Sequence, residues 1–174
     1  MSSHAFRRLL LCSFLAALVA LGHGEASAQL LKKKKNQAPV NSGPVALAPG
    51  HFEWYPERAP SGPLLVVVSL DDQIAYVYRN GVLIARSTVS SGAPGHETPT
   101  GVFTILEKNK VHESSIYKGA QMPNMQRLTW SGIAMHAGQL PGYPASHGCV
   151  RMPAHMAETY FANVTSGTPV TVRP

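Results

Sequence analysis

The chain has 174 residues, of which 14% are charged and 44% are hydrophobic, and these proportions exclude wholesale disorder, a collagen and a coiled coil. Its 15 glycines and 14 prolines predict many turns and few long helices. The net charge of +6 is largely local, because residues 32–35 are four lysines, whereas 9 Lys and Arg face 8 Asp and Glu over residues 51–174. A nearly neutral folded part argues against nucleic-acid binding.

The N-terminus has the pattern of a secretory signal peptide over residues 1–28. Arg7 and Arg8 provide the positive start, residues 9–21 form an uncharged apolar run, and Ala26-Ser27-Ala28 is a small-x-small cleavage site. The run is short for a membrane span, although an uncleaved anchor remains the alternative. This pattern predicts export to the periplasm or beyond.

The segment that follows, residues 29–62, is predicted to be a basic, proline-rich linker and a short transition. Its lysine run is interpreted either as a solvated tether or as a contact with anionic lipid or cell-wall polymer. Residues 63–174 are predicted to form one domain, since about 110 residues suffice for one modest core.

Short β-branched and alternating runs predict that this domain is mainly β. Asn80 and Gly81 lie between two such runs and predict a type I′ hairpin, because both central residues of that turn need positive φ. A helix beginning near Pro153 is predicted over residues 153–164. Residues 108–128 are polar and irregular and predict a long surface excursion that can cover a cleft. The predicted strands are residues 64–70, 73–79, 82–89, 102–107, 129–137 and 168–173.

A single thiol remains after the predicted cleavage, because Cys12 lies in the segment that is removed and Cys149 is the other cysteine of the sequence. A lone cysteine in an exported protein indicates an intermolecular disulfide or a reactive group, and a buried inert thiol is the third alternative. Two histidines near Cys149 favour the reactive group.

His136 and His147 are the candidate partners of the thiol. His147 is two residues from Cys149, so in an extended chain both side chains point the same way, and His136 ends a predicted strand that sheet pairing can bring alongside. A basic partner favours the thiolate, so we expect His136 to keep Cys149 ionised near neutral pH. The N–H groups of Gly148 and Cys149 can meet a developing oxyanion. Arg151 can bind a substrate carboxylate or orient the loop.

Zinc binding is the main alternative chemistry, since His136, His147 and Cys149 can supply three ligands. No second cysteine at a ligand spacing and no HExxH motif supports it, so we predict neither a metal nor another cofactor. The sequence also has no GxSxG, Walker or GxGxxG motif, and Asp71-Asp72 is turn-like rather than a glycosidase pair.

Three segments resemble the L,D-transpeptidase catalytic domain family, also called YkuD. SHGCVRM at residues 146–152 is similar to the family's signature, TPTGVFTI at residues 98–105 to its central TPxGxF segment, and LVVVSLDDQIAYVYRNGVLI to its opening strands and hairpin. The resemblance covers nearly all of residues 64–174. It implies a mainly β fold, a β-sandwich or partial barrel with one main helix after the catalytic loop.

The resemblance also implies a periplasmic or wall-facing enzyme that acts on peptidoglycan stem peptides in cell-wall organisation and cell shape. Members attack the carbonyl of the third residue of a tetrapeptide stem, release D-alanine and form a thioester on the cysteine. An amine of a second stem, or of a protein such as an outer-membrane protein, then resolves the thioester. Such enzymes need no metal and are acylated by carbapenems.

Residue roles follow from the same resemblance. Cys149 matches the nucleophile, His136 matches the upstream histidine that accepts and returns the proton, and His147 matches the motif histidine that lines the site. The backbone of Gly148 and Cys149 matches the oxyanion site. The positions assigned to substrate binding are Ser146 and Arg151.

One departure from the family pattern concerns the lid, because only nine residues separate His136 from Ser146, fewer than in many members. Two alternatives to transfer remain at this stage. A cysteine hydrolase of the same fold would use water as the acceptor, and a non-catalytic module would bind the wall without chemistry.

Overall fold

Ten strands and one α-helix make up the part of the chain that this computed structural model describes, residues 46–174. The predicted signal peptide and residues 29–45 of the predicted linker lie outside the described residues. No helix within the described part is long and apolar enough to cross a membrane. The elements are β1 (Phe52–Trp54), a 3-10 turn (Pro56–Arg58), β2 (Leu64–Ser69), β3 (Ile74–Arg79), β4 (Val82–Thr88), β5 (Gly101–Thr104), β6 (Glu107–Asn109), β7 (Met125–Arg127), β8 (Ala134–Ala137), β9 (Val150–Met152), α1 (Ala154–Asn163) and β10 (Pro169–Arg173).

The first sheet contains six strands in the order β1-β4-β3-β2-β10-β5. Its centre is the predicted hairpin of β3 and β4, where Asn80 and Gly81 have φ of 49° and 75°, as a type I′ turn requires. The C-terminal strand β10 pairs in parallel with β2 and antiparallel with β5. The sheet is therefore mixed, and its last strand joins the two ends of the predicted domain.

The second sheet contains four strands in the order β6-β7-β8-β9. β8 and β9 run parallel, with Met135 opposite Val150 and His136 opposite Arg151. This pairing lays the strand that carries His136 beside the strand that begins directly after Cys149. The second sheet therefore holds His136 and positions the loop that carries Cys149.

The helix α1 follows β9 directly, and Pro153 occupies its N-cap. Met156, Ala157 and Tyr160 are its buried residues, and they pack in one core with side chains of both sheets. Lys108 Nζ donates to the carbonyl oxygen of Phe161 at 2.6 Å, which satisfies one of the last acceptors of the helix. The expectation of a mainly β fold with one main helix is confirmed, and the described strands form two mixed sheets that do not close into a barrel.

The predicted strand over residues 102–107 is wrong in one respect, because the chain changes sheets within it. Ile105 N–H donates to the carbonyl of Thr168 beside the first sheet, and Leu106 N–H donates to the carbonyl of Arg127 in the second sheet. β5 and β6 are therefore separate strands. Hydrophobic alternation carries no signal for such a switch, since both halves are extended.

The other differences concern short elements. Residues 129–132 form a turn rather than strand, with Gly132 at φ 104° and its N–H donating to the carbonyl of Thr129. β1 adds to the edge of β4, and β7 lies inside the predicted excursion. Strands of three residues are too short to show alternation in a sequence.

Candidate active site

The paired strands β8 and β9 bring the predicted catalytic residues into one cleft. The register places Ala134 beside Cys149 and His136 opposite Arg151, so these side chains project from the same face of the second sheet. His136, His147, Cys149 and Arg151 all line a cavity of about 600 Å³. The predicted excursion lines it too, which confirms that residues 114–122 flank a cleft.

The loop that carries the thiol is a tight turn rather than an extended segment. Gly148 has φ 111°, and a Cβ there would lie 2.8 Å from Ile133 Cδ1, so glycine is required. Ser146 Oγ accepts from Gly148 N–H at 3.1 Å and donates to the carbonyl of Cys149. Ser146 is buried and braces the loop through these two bonds, and it also lines the cavity, so its predicted role in substrate binding stays a prediction.

Thr98, which precedes β5, also fixes the loop of Cys149. Its buried hydroxyl accepts from Gly92 N–H at 2.9 Å and donates to the carbonyl of Gly148 at 2.8 Å. A Cβ at Gly92 would lie 1.9 Å from the carbonyl oxygen of His96, so the turn before β5 is also fixed by a glycine. The TPTG segment thus positions the thiol loop and does not itself line the cleft.

His136 is buried and held in one tautomer. Its Nδ1 lies 2.8 Å from the carbonyl oxygen of Ala137, which can only accept, so Nδ1 carries the proton and Nε2 is the free base. Burial lowers the pKa of His136; the hydrogen bond to Ala137 opposes this shift, and the charges of Arg151 and His112 add to it. The imidazole is therefore held neutral, and a backbone carbonyl rather than an acid orients it.

Cys149 is held mainly as a neutral thiol. Its Sγ donates weakly to the carbonyl of Gly132 at 3.6 Å. Burial raises the pKa of the thiol, and the hydrogen bond from Ala134 N–H and the charges of Arg151 and Arg127 oppose this only in part. The expectation that His136 keeps Cys149 ionised is therefore wrong, because desolvation outweighs the partners that favour the thiolate.

His147 lies at the mouth of the cleft, exposed to solvent. Its ring centroid is 4.8 Å from that of His96 and 4.6 Å from that of Tyr117. Both ring contacts are tilted, and they join three loops around the opening. His147 lines the same cavity as Cys149, and its catalytic role stays a prediction.

Arg151 contributes to the site through both its backbone and its side chain. Its backbone exchanges two hydrogen bonds of 3.0 Å with Ser90, which ties the thiol loop to the end of β4. Its side chain lines the cleft, with its carbon stem over Gly138, where a Cβ would lie 2.9 Å from Cγ and Cδ. Within residues 46–174 the guanidinium has no ion pair, so it is free to receive an anion.

The comparison with known families rests on the same residues. The profile of the YkuD family, the L,D-transpeptidase catalytic domain, matches residues 63–172. The chain belongs to this family. The match contains the TPTG segment, the strand of His136 and the loop of Cys149.

Relatives agree with this assignment. L,D-transpeptidase 1 of Mycobacterium tuberculosis is 30% identical over 125 residues, which is 63% of this chain and 50% of that protein. The chain thus spans about half the length of the curated relatives it matches. An L,D-transpeptidase of Mycobacterium smegmatis superposes with a TM-score of 0.60 at 25% identity, over 66% of this chain and 60% of the other. The L,D-transpeptidase LdtMt1 in complex with imipenem gives 0.59 at 27% identity, over 63% and 58%.

Sequence patterns missed Tyr117, which lines the cavity of this L,D-transpeptidase domain, and Arg127, whose charge lowers the pKa of the Cys149 thiol against the effect of burial. Tyr117 lies in an irregular loop and Arg127 on a three-residue strand, so neither stands in a recognisable pattern. A zinc site finds no support in the described region, where no group of three or more His, Cys, Asp or Glu side chains could hold a metal ion.

Proposed function

We propose that the chain is a peptidoglycan L,D-transpeptidase in which Cys149 is the nucleophile and His136 the proton carrier. The observation that carries the proposal is that β8, which holds His136, pairs with β9, which begins directly after Cys149, so that both side chains line one cleft with His136 Nε2 left as the free base. Membership of the family supports the reaction class. The cleft of about 600 Å³ has the size of a peptide or small-molecule site.

The first half-reaction begins from the neutral pair. Cys149 Sγ attacks the carbonyl carbon of the third stem residue while its proton passes to His136 Nε2. The carbonyl oxygen becomes an oxyanion. Gly148 N–H already donates to Ser146 Oγ, so the N–H of Cys149 is the backbone donor that we assign to the oxyanion.

Collapse of the tetrahedral intermediate breaks the bond to D-alanine. His136 Nε2 returns its proton to the departing amine, and the stem remains on Cys149 as a thioester. Since the folded site favours the uncharged imidazole, the imidazolium is short-lived and a ready proton donor. An acceptor amine then attacks the thioester, loses a proton to His136 and leaves a 3→3 cross-link or an attached protein.

We assign Arg151 to the binding of the donor stem peptide. Its guanidinium lines the cleft on the strand that follows Cys149, and it has no ion pair within the described part of the chain. A peptide stem carries carboxylates next to the scissile bond, and guanidinium binds carboxylate with two parallel hydrogen bonds. Arg151 therefore orients the donor before attack.

The proposal also covers the cellular location of the protein and the acceptor of the acyl group. The signal-peptide pattern of residues 1–28 supports a periplasmic site of action, where stem peptides and outer-membrane proteins are both in reach. Fractionation of cells that express the full chain tests the location. Recovery in the cytoplasm would contradict it.

Incubation of the purified protein with a disaccharide-tetrapeptide tests the reaction. Cross-linked dimer with released D-alanine supports transfer, whereas tripeptide alone would replace transfer with hydrolysis. Cys149→Ala should abolish both products. Identical product profiles from parent and variant would instead favour a wall-binding module without chemistry.

A carbapenem provides a second test of the nucleophile, since a relative in the family is known in complex with imipenem. Intact-mass measurement should show one imipenem adduct on the parent and none on Cys149→Ala. An adduct on both would place the reactive group elsewhere.

A further inference from the structure

A row of side chains crosses the second sheet and ends at the nucleophile. The register pairs Glu107 with Arg127 and Arg127 with Ala134, and Ala134 lies beside Cys149, one step before the pair Met135–Val150. Directly paired residues project from the same face of a sheet, so the row faces the cleft side. Between Arg127 and Cys149 the row has only the methyl group of Ala134.

Arg127 is fixed within this row. Its Nε lies 2.5 Å from Glu107 Oε1, and its side chain is only 12% exposed. Its Nη2 donates to His112 Nε2 at 3.4 Å, a contact from the loop that flanks the cleft. A charge held in a largely buried position is weakly screened, so it acts over distances of the order of the two strand spacings, about 10 Å, that separate the backbones of Arg127 and Cys149.

The charged and titratable groups around the sulfur come from several elements. β8 carries His136, β9 carries Arg151, β7 carries Arg127, and the loop before β7 carries His112. Glu107 is the one carboxylate of the row in the described chain, and it is bound to Arg127. The charges around Cys149 are thus positive, and they oppose the larger effect of burial on the thiol.

We propose that Arg127 is a positioning residue whose fixed positive charge, moderated by Glu107, stabilises the anionic form of Cys149 Sγ. It acts through the thiol and is not itself catalytic. The direction agrees with the effect of the Arg127 charge, which lowers the pKa of Cys149 against the larger effect of burial. The proposal rests on the proposed function only in taking Cys149 as the nucleophile.

The test measures the rate at which iodoacetamide alkylates Cys149 in the purified chain as a function of pH. Arg127→Gln should slow alkylation about three- to tenfold at pH 7 and move the rate profile to higher pH. Arg127→Lys keeps the charge and should restore most of the rate. Glu107→Gln should instead raise the alkylation rate, because it removes the negative charge that partly offsets the positive charge of Arg127.

The opposite changes in alkylation rate distinguish an electrostatic effect from a structural one. Loss of a structural ion pair would slow alkylation in both Arg127→Gln and Glu107→Gln. Arg86→Gln is the matched control, because Arg86 forms a comparable ion pair with Glu53 at the edge of the first sheet. If Arg127→Gln does not fold, the Arg127→Lys and Glu107→Gln profiles decide the question. Superimposable pH profiles for the parent, Arg127→Gln and Glu107→Gln, or equal slowing of both variants, would overturn the proposal. Alkylation needs no stem peptide, so its outcome is independent of whether transfer occurs.

Discussion

Thr98 Oγ1 donates a hydrogen bond of 2.8 Å to the carbonyl oxygen of Gly148, 50 residues further along the chain. Thr98 Oγ1 also accepts a hydrogen bond from Gly92 N–H. One hydroxyl therefore satisfies two buried backbone groups and joins the turn before β5 to the loop of Cys149. The position of the nucleophile depends on this link because the loop has no regular secondary structure of its own.

We expect Thr98→Val to reduce both stability and acylation. The substitution keeps the shape of the side chain but leaves a buried N–H and a buried C=O without partners, at a cost of about 1–3 kcal/mol for each group. Urea unfolding measures the first effect, and the imipenem acylation rate measures the second. Thr98→Ser keeps the hydroxyl and should retain most of both, so equal losses in the two variants would contradict this role.

The glycine beside the nucleophile gives a second prediction. Gly148→Ala adds a Cβ at a residue with φ 111°, and this atom would lie 2.8 Å from Ile133 Cδ1. We therefore expect a loss of about 1–3 kcal/mol in unfolding free energy and at least a tenfold slower acylation. Gly95→Ala is the control, because φ is also positive there but no atom lies within 4 Å. Adding Ile133→Val removes Cδ1 and should recover part of the acylation rate. No recovery would show that backbone strain alone is responsible.

Alternating hydrophobic runs and one turn dipeptide were enough to predict most of the fold. The hairpin of β3 and β4 forms as expected, because the turn dipeptide Asn80-Gly81 and the β-branched runs beside it are local signals. β6 and β7 could not be predicted, because each has three residues and is defined by its partners. The change of sheet at residues 105–106 depends on hydrogen bonds to distant chain segments, which no local pattern contains.

The candidate site was likewise predictable only in part. Cys149 and His136 could be found because a lone thiol near histidines is rare enough to be informative. Their protonation could not be predicted, since burial raises the pKa of the thiol and lowers the pKa of the imidazole only once the cleft is built. The role of Arg127 depends on the register that places Ala134 between it and the sulfur.

Tyr117 gives a third prediction, concerning the cleft mouth. Its ring centroid lies 4.6 Å from that of His147 in a tilted contact that links the flanking loop to the thiol loop, and the residue is 40% exposed. Such a ring contact contributes about 0.5–1.5 kcal/mol. We expect Tyr117→Ala to raise the KM for the stem peptide about two- to tenfold and to lower the unfolding free energy by no more than about 0.5–1.5 kcal/mol, whereas Tyr117→Phe should retain the parent KM. A fall in kcat with constant KM would be inconsistent with a role in binding.

The last prediction concerns stability against pH. Burial lowers the pKa of His136 in the folded chain, so as the pH falls below about 6.5 the unfolded chain takes up this proton first. Protonation then favours unfolding, and the contribution of His136 to stability is present above that pH and is lost as the pH falls towards its folded pKa. The slope from one group is at most about 1.4 kcal/mol per pH unit.

Comparison of the parent with His136→Gln measures this slope, because every other ionisable group is present in both proteins. The excess stability of the parent should be constant between pH 7.5 and 8.5 and should shrink between pH 6.5 and 5 in urea unfolding. His51→Gln removes an exposed ring and serves as the control. A difference between parent and His136→Gln that grew on acidification would mean that the folded site favours the imidazolium. The attack would then begin from an ion pair of His136 and Cys149 rather than from the neutral thiol and imidazole on which the proposed first step depends.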